Sequence, residues 1–300
     1  MEFKPTRPPR GRLVRLGVVL DTRDSSRRLS EIARMCDGAG IDALWVRDYP
    51  ANADGEPRLE AWTALTLVGG EVHRARLGAM LTTTLRPPEV LAAMAGTLES
   101  AIGGRLELGL CDTHTSRLQR YAGLLRALLD GGEGGPTISI EATIPGQLAV
   151  AAGVADDVLL PAAAVRDTRA ISEAVRTACD RADRDPDSLG VALEIPVSIG
   201  RTTAEAHARA GAESPFGVTE PPRAVGIFGT LEQCQERVID LAHAGVTDLR
   251  CVIPNAPDVH DVIAQLTAIA VGTVDVLAPG APRSKAPDPP ATWGGRSSGS

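Results

Sequence analysis

Polar side chains that could do acid–base chemistry follow two short apolar runs of this sequence. Asp48 and Tyr49 come directly after the first run, and His114 comes shortly after the second. A carboxylate, a phenol and an imidazole can each hold or move a proton, so these three residues are candidate catalytic groups. Each has a structural alternative: Asp48 could cap a loop or pair with Arg47 or Arg86, Tyr49 could pack a loop, and His114 could cap a helix or be exposed.

The sequence pattern predicts neither a metal site nor a nucleophilic cysteine. The five cysteines lie far apart without a Cys-x-x-Cys pair, and no two histidines have the spacing of a metal-binding helix. Cys111 stands at the end of an apolar run, where a nucleophile could act. Without an evident base beside it, we expect an inert thiol.

Short runs rich in Val, Ile and Leu alternate with longer segments of helical period, which is typical of βα units around a parallel sheet. Ser25–Gly38 opens with a serine cap, Pro88–Ala101 opens with a proline, and Thr230–Ala244 opens with a capping box. Eight strands are predicted, and they are Arg15–Leu20, Ala43–Val46, Arg76–Thr82, Leu106–Leu110, Thr137–Ile140, Asp157–Leu160, Val191–Ser198 and Asp248–Ile253.

Eight such units predict an α/β fold, a closed (β/α)8 TIM barrel over residues 14–277. An open doubly wound sheet would need a glycine-rich loop after the first strand, and Asp21-Thr22-Arg23-Asp24 is not one. We expect a flexible leader over 1–13 and a disordered Pro/Gly/Ser-rich tail over 278–300. Because barrels bind ligands at the C-terminal ends of their strands, the site residues should follow strands.

The composition excludes several classes of partner. A net charge of −7, with no cluster of Lys and Arg interleaved with aromatics, argues against a nucleic-acid surface. The basic stretch Lys4–Arg15 is interpreted as part of a solvated leader. No apolar run has the roughly 20 residues of a membrane span, and no signal peptide is evident. We expect a cytoplasmic protein that acts on a small molecule.

Four stretches of the chain resemble the bacterial luciferase-like family of flavin- and deazaflavin-dependent oxidoreductases. Gly38–Asp48 is similar to the family's second strand, and Glu60–Ala79 to the helix and strand that follow it. Thr97–Leu110 is similar to the fourth strand with its preceding turn, and Gly226–Val246 to a late helix. No single motif is diagnostic, but their order and spacing cover most of residues 14–270.

The resemblance implies an oxidoreductase that moves a hydride between the deazaflavin coenzyme F420, or alternatively FMN, and a small organic substrate. It also implies a homodimer. Within Thr82–Thr84 the family often has a strained cis peptide bond, although three ordinary strand residues are the alternative. A phosphate would bind at the start of the helix after the fifth strand. The implied cofactor-binding residues are Thr82, Thr83, Cys111, Asp112, Thr143 and Gly146.

The sequence departs from the family in several places. The second strand ends in Asp48-Tyr49, where deazaflavin-using relatives commonly have Asp-His, and two glycines are missing after the fourth strand. Glu141 would repel a phosphate if it faced inward. A long insertion between the fourth and fifth strands is also missing, which predicts shortened loops and an open cleft. The alternative function is therefore a degenerate barrel without redox activity, acting as a binding or interaction protein.

Overall fold

The fold is a closed barrel of eight parallel strands surrounded by helices, as predicted. The computed structural model describes residues 3–9, 12–49, 57–129, 135–210, 225–253 and 259–275. Neighbouring strands pair in sequence order from β1 to β7, and β9 closes the ring between β7 and β1. The barrel strands are β1 Arg15–Val19, β2 Ala43–Arg47, β3 Arg76–Thr82, β4 Leu106–Cys111, β5 Thr137–Glu141, β6 Asp157–Leu160, β7 Gly190–Ile199 and β9 Asp248–Val252.

A short strand outside the ring, β8 Ile227–Gly229, was not predicted. The first part of β7 pairs with β6 and β9, whereas Val197 to Ile199 pair with β8. Three residues are too few to show the alternation by which a strand is recognised in a sequence. The C-terminal end of β7 therefore extends beyond the barrel and pairs with β8.

The helices begin and end at the predicted signals. The side chain of Ser25 accepts from the amide of Arg28, and Thr230 forms the predicted capping box with Gln233. Pro88 is the first residue of α3, where its missing N–H leaves no helical bond unmade. The helices are α1 Ser26–Gly38, α2 Ala61–Gly69, α3 Pro88–Ala101, α4 Thr115–Leu129, α5 Pro145–Val154, α6 Thr168–Arg181, α7 Thr203–Ala210, α8 Leu231–His243 and α9 Val259–Asp275.

The barrel interior is filled rather than hollow. Trp45 is 1% exposed and lies across Gly78, where a Cβ atom would come within 2.4 Å of the indole ring. Gly78 is therefore required for close approach of the ring to the backbone. The guanidinium of Arg250 also stacks on this ring, 3.4 Å from its centroid. A second core lies between the strands and the helices.

Residues 3–9 of the predicted leader contact the N-terminal end of the barrel, which we call the floor. The Lys4 amide donates to Asp156 at 2.7 Å, and the Thr6 amide donates to Asp157 at 2.8 Å. The ring of Phe3 lies 3.6 Å from the guanidinium of Arg184. The predicted tail, residues 278–300, lies outside the described residues. None of the helices in the described ranges combines the length and apolar character needed to cross a membrane.

Candidate functional site

Alternation along the strands decides which residues reach the interior at the C-terminal end of the barrel, which we call the mouth. On β2, Leu44 and Val46 pack against the helices, whereas Trp45 belongs to an interior cluster. Because side chains alternate, Arg47 faces the interior and Asp48 faces the helices. The same rule brings Thr82 of β3, Cys111 of β4, Glu141 of β5 and Glu194 of β7 to the mouth.

Arg47 joins three strands across the mouth. Its Nη2 atom lies 2.9 Å from Glu141 Oε1 and 3.1 Å from Glu194 Oε1. Burial alone would lower the pKa of Arg47, but the two carboxylates raise it well above its ordinary value, so the guanidinium stays charged. Its Nε atom is buried, and neither Nε nor Nη1 has a hydrogen-bond partner among the described residues. The side chain of Arg47 is 14% exposed.

Tyr49 lies beside this cluster, on the same side of the chain as Arg47. The guanidinium of Arg58 stands 4.2 Å from the centroid of the Tyr49 ring, and Arg58 Nη1 lies 3.8 Å from Asp21 Oδ1. Burial raises the pKa of the phenol, and the negative charge of Glu194 adds to this shift. The hydroxyl therefore stays protonated at physiological pH and can donate a hydrogen bond.

Cys111 and Thr82 are adjacent at the mouth. The Thr82 Oγ1 atom lies 3.6 Å from Cys111 Sγ, and the thiol donates to the carbonyl of Leu81 at 3.5 Å. Burial and the charge of Glu141 raise the pKa of the thiol to about 11. The thiol is therefore protonated near neutral pH, as expected for an inert cysteine rather than a nucleophile.

Asp48 has the structural partner that the sequence left open. The Arg86 guanidinium donates two hydrogen bonds to the Asp48 carboxylate, from Nη1 to Oδ2 at 2.7 Å and from Nη2 to Oδ1 at 3.2 Å. The amide of Thr82 also donates to Oδ2 at 3.0 Å. Arg86 pairs in addition with Glu60, which caps the start of α2. Asp48 thus ties β2 and β3 to the following loops, outside the barrel interior.

Asp112 and Thr83 form a second outer cluster. Arg117 of α4 donates to both Asp112 oxygens at 2.6 Å, and the Thr83 hydroxyl also donates to this carboxylate. Burial would raise the pKa of Asp112, but the hydrogen bonds from Arg117 and Thr83 lower it overall. His114 donates its amide to Asp112 while its side chain is 68% exposed. The structure therefore does not bring His114 to the mouth.

The backbone after β3 is ordinary. No cis peptide bond occurs in the ranges that the structure describes, so Thr82–Thr84 is linked by trans bonds. The implied strained bond is thus absent, and of the three predicted strand residues only Thr82 belongs to β3, because Thr83 and Thr84 lie in the turn that follows it. Thr82 and Thr83 still differ, because the first faces the mouth and the second faces the outer cluster.

The start of α5, where a phosphate was expected, is already capped by the chain itself. The Gln147 Oε1 atom accepts from the amides of Thr143 and Ile144, at 2.8 and 3.3 Å, and from the Thr143 hydroxyl at 2.9 Å. Gly146 lies against Thr115, the first residue of α4. The donors that would bind an anion here are therefore partly occupied.

The structure brings together only some of the predicted site residues. Tyr49, Thr82 and Cys111 meet at the mouth, whereas the others lie in the outer clusters, on the surface or at the start of α5. Arg47 and Glu194 had no predicted site role, and Glu141 was considered only as an obstacle to phosphate. Side chains alternate between the interior and the helices along a strand. If this alternation is followed to the end of each strand, it predicts that all three face the interior, because each lies two or four residues after an interior residue.

Comparison with known proteins supports this fold at low sequence identity. Residues 13–123 match the model of a family described as luciferase-like monooxygenase. A relative from Methanolobus tindarius, a 5,10-methylenetetrahydromethanopterin reductase, is 21% identical over 81% of this chain and 95% of its own.

Two solved structures have the same fold. The coenzyme F420-dependent tetrahydromethanopterin reductase from Methanopyrus kandleri superposes with a TM-score of 0.71 at 18% identity, covering 86% of this chain and 99% of that one. A riboflavin lyase with modified FMN and riboflavin superposes with a TM-score of 0.67 at 13% identity, covering 86% and 91%. Identities this low establish the fold and leave the substrate open.

Proposed function

We propose that the chain is a member of the luciferase-like monooxygenase family, and an oxidoreductase that transfers a hydride between a bound cofactor and a small organic substrate. The proposed cofactor is the deazaflavin coenzyme F420, with FMN as the alternative. One observation carries the proposal. Polar side chains from several strands converge at the mouth, the end of the barrel where ligands bind. The two similar structures hold or depend on cofactors of these two kinds.

The mouth offers suitable groups for the ring of such a cofactor. A flavin-type ring is planar and carries carbonyl oxygens that accept hydrogen bonds. Arg47 has a buried Nε donor and a Nη1 donor that no described residue uses, and the Thr82 hydroxyl lies nearby. Tyr49 adds an aromatic ring, one face of which Arg58 covers. These groups would hold the ring.

The expected phosphate site offers fewer open hydrogen-bond donors than the mouth offers to the cofactor ring. Gln147 occupies the amides of Thr143 and Ile144, so a phosphate at the start of α5 would have to displace this side chain. Asp112, the other polar residue proposed near the cofactor, is held by Arg117 and carries negative charge. We therefore propose that binding depends more on the ring than on the phosphate.

The bound cofactor would supply or accept the hydride. The remaining work falls to residues of this chain. The protonated Tyr49 would donate a proton to an oxygen on which charge develops, while Asp48 would act as a positioning residue by holding β2 and β3 through Arg86. Cys111 would remain protonated and would line the site as an uncharged group. His114, on the outer surface, is the weakest of the proposed catalytic residues.

Titration of the purified protein with coenzyme F420, and separately with FMN, tests the proposal. We expect saturable binding of one of them. Cys111→Trp would fill the mouth, so it should weaken this binding at least about tenfold. Gln119→Trp introduces the same side chain at an exposed position of α4 and is the matched control, for which binding should stay within about twofold of the parent. If the parent bound neither cofactor at millimolar concentration, the degenerate barrel would be the better account.

We also propose that the protein is a cytoplasmic homodimer. The cysteines are free in the described structure, which suits a reducing compartment. Leu67 of α2 and Val90 of α3 are exposed, as are Leu124 and Leu128 of α4, and burial of such side chains would favour association. Light scattering should return twice the chain mass of 31.3 kDa. The monomer mass at micromolar concentration would overturn the proposal.

A further inference from the structure

We propose that Arg47, clamped by Glu141 and Glu194, binds an uncharged carbonyl oxygen in the mouth and discriminates against carboxylate or phosphate groups. The inference rests on the proposed function and adds a substrate class to it. The oxygen could belong to a small aldehyde or ketone or to the cofactor ring. Both present the same chemistry to the guanidinium, and the experiment below separates them.

The Arg47 side chain is held in place, but not all of its N–H donors have hydrogen-bond acceptors. A single atom, Nη2, serves both carboxylates, at 2.9 and 3.1 Å. Glu141 of β5 and Glu194 of β7 lie on either side of β6, so two strands across the ring from β2 hold the guanidinium. A guanidinium has five N–H donors, and those on Nε and Nη1 have no hydrogen-bond partner in the described part of the chain. A buried donor without an acceptor, such as Arg47 Nε, is costly, so this arrangement favours an oxygen ligand.

The charge around Arg47 favours a neutral ligand. One guanidinium faces two carboxylates, so its positive charge is already compensated before any ligand arrives. A carboxylate or phosphate would meet the negative field of Glu141 and Glu194 at close range. A carbonyl oxygen accepts the same hydrogen bonds without this repulsion. The two glutamates therefore set the specificity, and Arg47 makes the contact.

The chemistry balances for a carbonyl substrate. The reduced deazaflavin or flavin provides a hydride with its electron pair, and a new C–H bond forms at the carbonyl carbon. The π electron pair of the C=O bond moves to the oxygen, which takes a proton ultimately drawn from solvent. The product is an alcohol, and the cofactor is oxidised by two electrons. Arg47 keeps its proton throughout and stabilises the negative charge that develops on the oxygen.

The first part of the experiment tests whether the oxygen belongs to a substrate. It uses a dye that carries an aldehyde group, so that binding is seen without turnover. The visible band of dimethylaminocinnamaldehyde moves to longer wavelength when its carbonyl is polarised. We expect this shift in the holoprotein and expect Arg47→Met to abolish it, with binding weakened about tenfold or more. Benzaldehyde should bind at least about tenfold more tightly than benzoate. The double variant Glu141→Gln/Glu194→Gln should reverse this preference, because Arg47 then regains an uncompensated charge.

The second part of the experiment tests whether the oxygen belongs to the cofactor ring, and it uses the same variants. Dissociation constants and visible spectra of bound coenzyme F420 and FMN are measured for the parent and for Arg47→Met. An Arg47-dependent change in the dye alone assigns the oxygen to the substrate, and a change in the cofactor alone assigns it to the ring. Because Arg47→Met leaves two glutamates unpaired, it is repeated in the Glu141→Gln/Glu194→Gln background, where no buried charge is stranded.

The outcomes separate this inference from the proposed function. Failure of the parent to bind either cofactor defeats the proposed function. Cofactor binding by the parent, with neither dye nor cofactor responding to Arg47→Met in both backgrounds, defeats only the inference. A dye that does not bind, combined with tighter binding of benzoate than of benzaldehyde, also overturns it.

Discussion

The two ends of the barrel both contain buried arginines and carboxylates, but they use them differently. On the floor, Arg15 is 3% exposed and bonds to Glu107 and Asp248 with several of its donors. Burial would raise the pKa of Glu107, yet Arg15 overrides it and lowers the pKa to about 2. At the mouth, Arg47 shares one nitrogen between two carboxylates and keeps donors unused.

The difference separates a structural ion network from a binding one. The floor charges are enclosed and oriented by one another, so they close the barrel and stabilise it as a unit. The mouth charges retain contact with solvent and leave hydrogen-bonding capacity for a ligand. Arg15 and Arg47, at the two ends of one barrel, thus differ in role because they differ in saturation and exposure, not in residue type.

The largest expected effect is on the floor. Glu107→Ala removes a carboxylate that serves both Arg15 and Arg76, and it strands buried positive charge. We expect a loss of about 3–5 kcal/mol in the free energy of unfolding, measured by chemical denaturation. Glu173→Ala, which breaks an exposed helical pair with Arg169, should cost no more than about 0.5 kcal/mol. Equal losses of unfolding free energy in the two variants would mean that the floor network stabilises the protein no more than an exposed ion pair does.

The floor also predicts a pH dependence. Burial raises the pKa of Asp157 from 3.8 to about 7, and neighbouring Glu107 adds to the shift, whereas Thr6 and Arg15 oppose it. A raised carboxyl pKa means that the folded state binds the proton more tightly. The stability from Asp157 is therefore full below about pH 4 and is lost as the pH rises to about 7, by up to about 4 kcal/mol.

Asp157→Asn isolates this contribution. The free energy of unfolding of the parent minus that of the variant should fall between about pH 4 and pH 7 and stay level above it. Urea denaturation across this range measures the difference. A difference that rose with pH would contradict the assigned protonation of Asp157.

The barrel centre, between the two ends, predicts an intermediate effect. Gly78→Ala would place a Cβ atom 2.4 Å from Trp45, and overpacking of this kind costs about 1–3 kcal/mol. Gly123→Ala in α4 is the matched control, because nothing lies within 4 Å of the added atom. It should stabilise the protein by about 0.5–1 kcal/mol through helix propensity. Thermal unfolding of the two variants should therefore shift in opposite directions.

The smallest effect on stability is expected at the mouth. Glu194→Gln leaves Arg47 paired with Glu141 and removes a like-charge neighbour of that carboxylate. We expect a change in unfolding free energy of no more than about 1 kcal/mol in either direction. A loss as large as that of Glu107→Ala would place Arg47 in a structural network like that of the floor.

The fold was accessible from the sequence because its signals are local and repeated. All eight predicted runs are barrel strands, and the caps at Ser25 and Thr230 lie where the pattern placed them. Only β8 was missed, since its three residues pair with a distant segment. Periodicity and capping need no knowledge of tertiary contacts, which is why they succeed here.

The site was accessible only in part. The sequence showed which residues follow strands, but a residue just past a strand can face the interior or the helices, and the choice depends on where the strand ends. Asp48 and Asp112 were selected for their chemistry, yet both face outward and pair with Arg86 and Arg117. Those partners lie far along the chain or on another element. Arg47 resembled an ordinary strand-end charge until Glu194 was placed opposite it.

Hydrogen–deuterium exchange of the protein with and without coenzyme F420 or FMN tests the central claim most directly, because it reports on both ends of the barrel in one experiment. We expect saturable protection at the mouth, in the segments around Tyr49, Thr82 and Cys111. We expect no change on the floor, around Thr6 and Glu107. Protection confined to the floor, or no protection with either cofactor at millimolar concentration, would contradict the account.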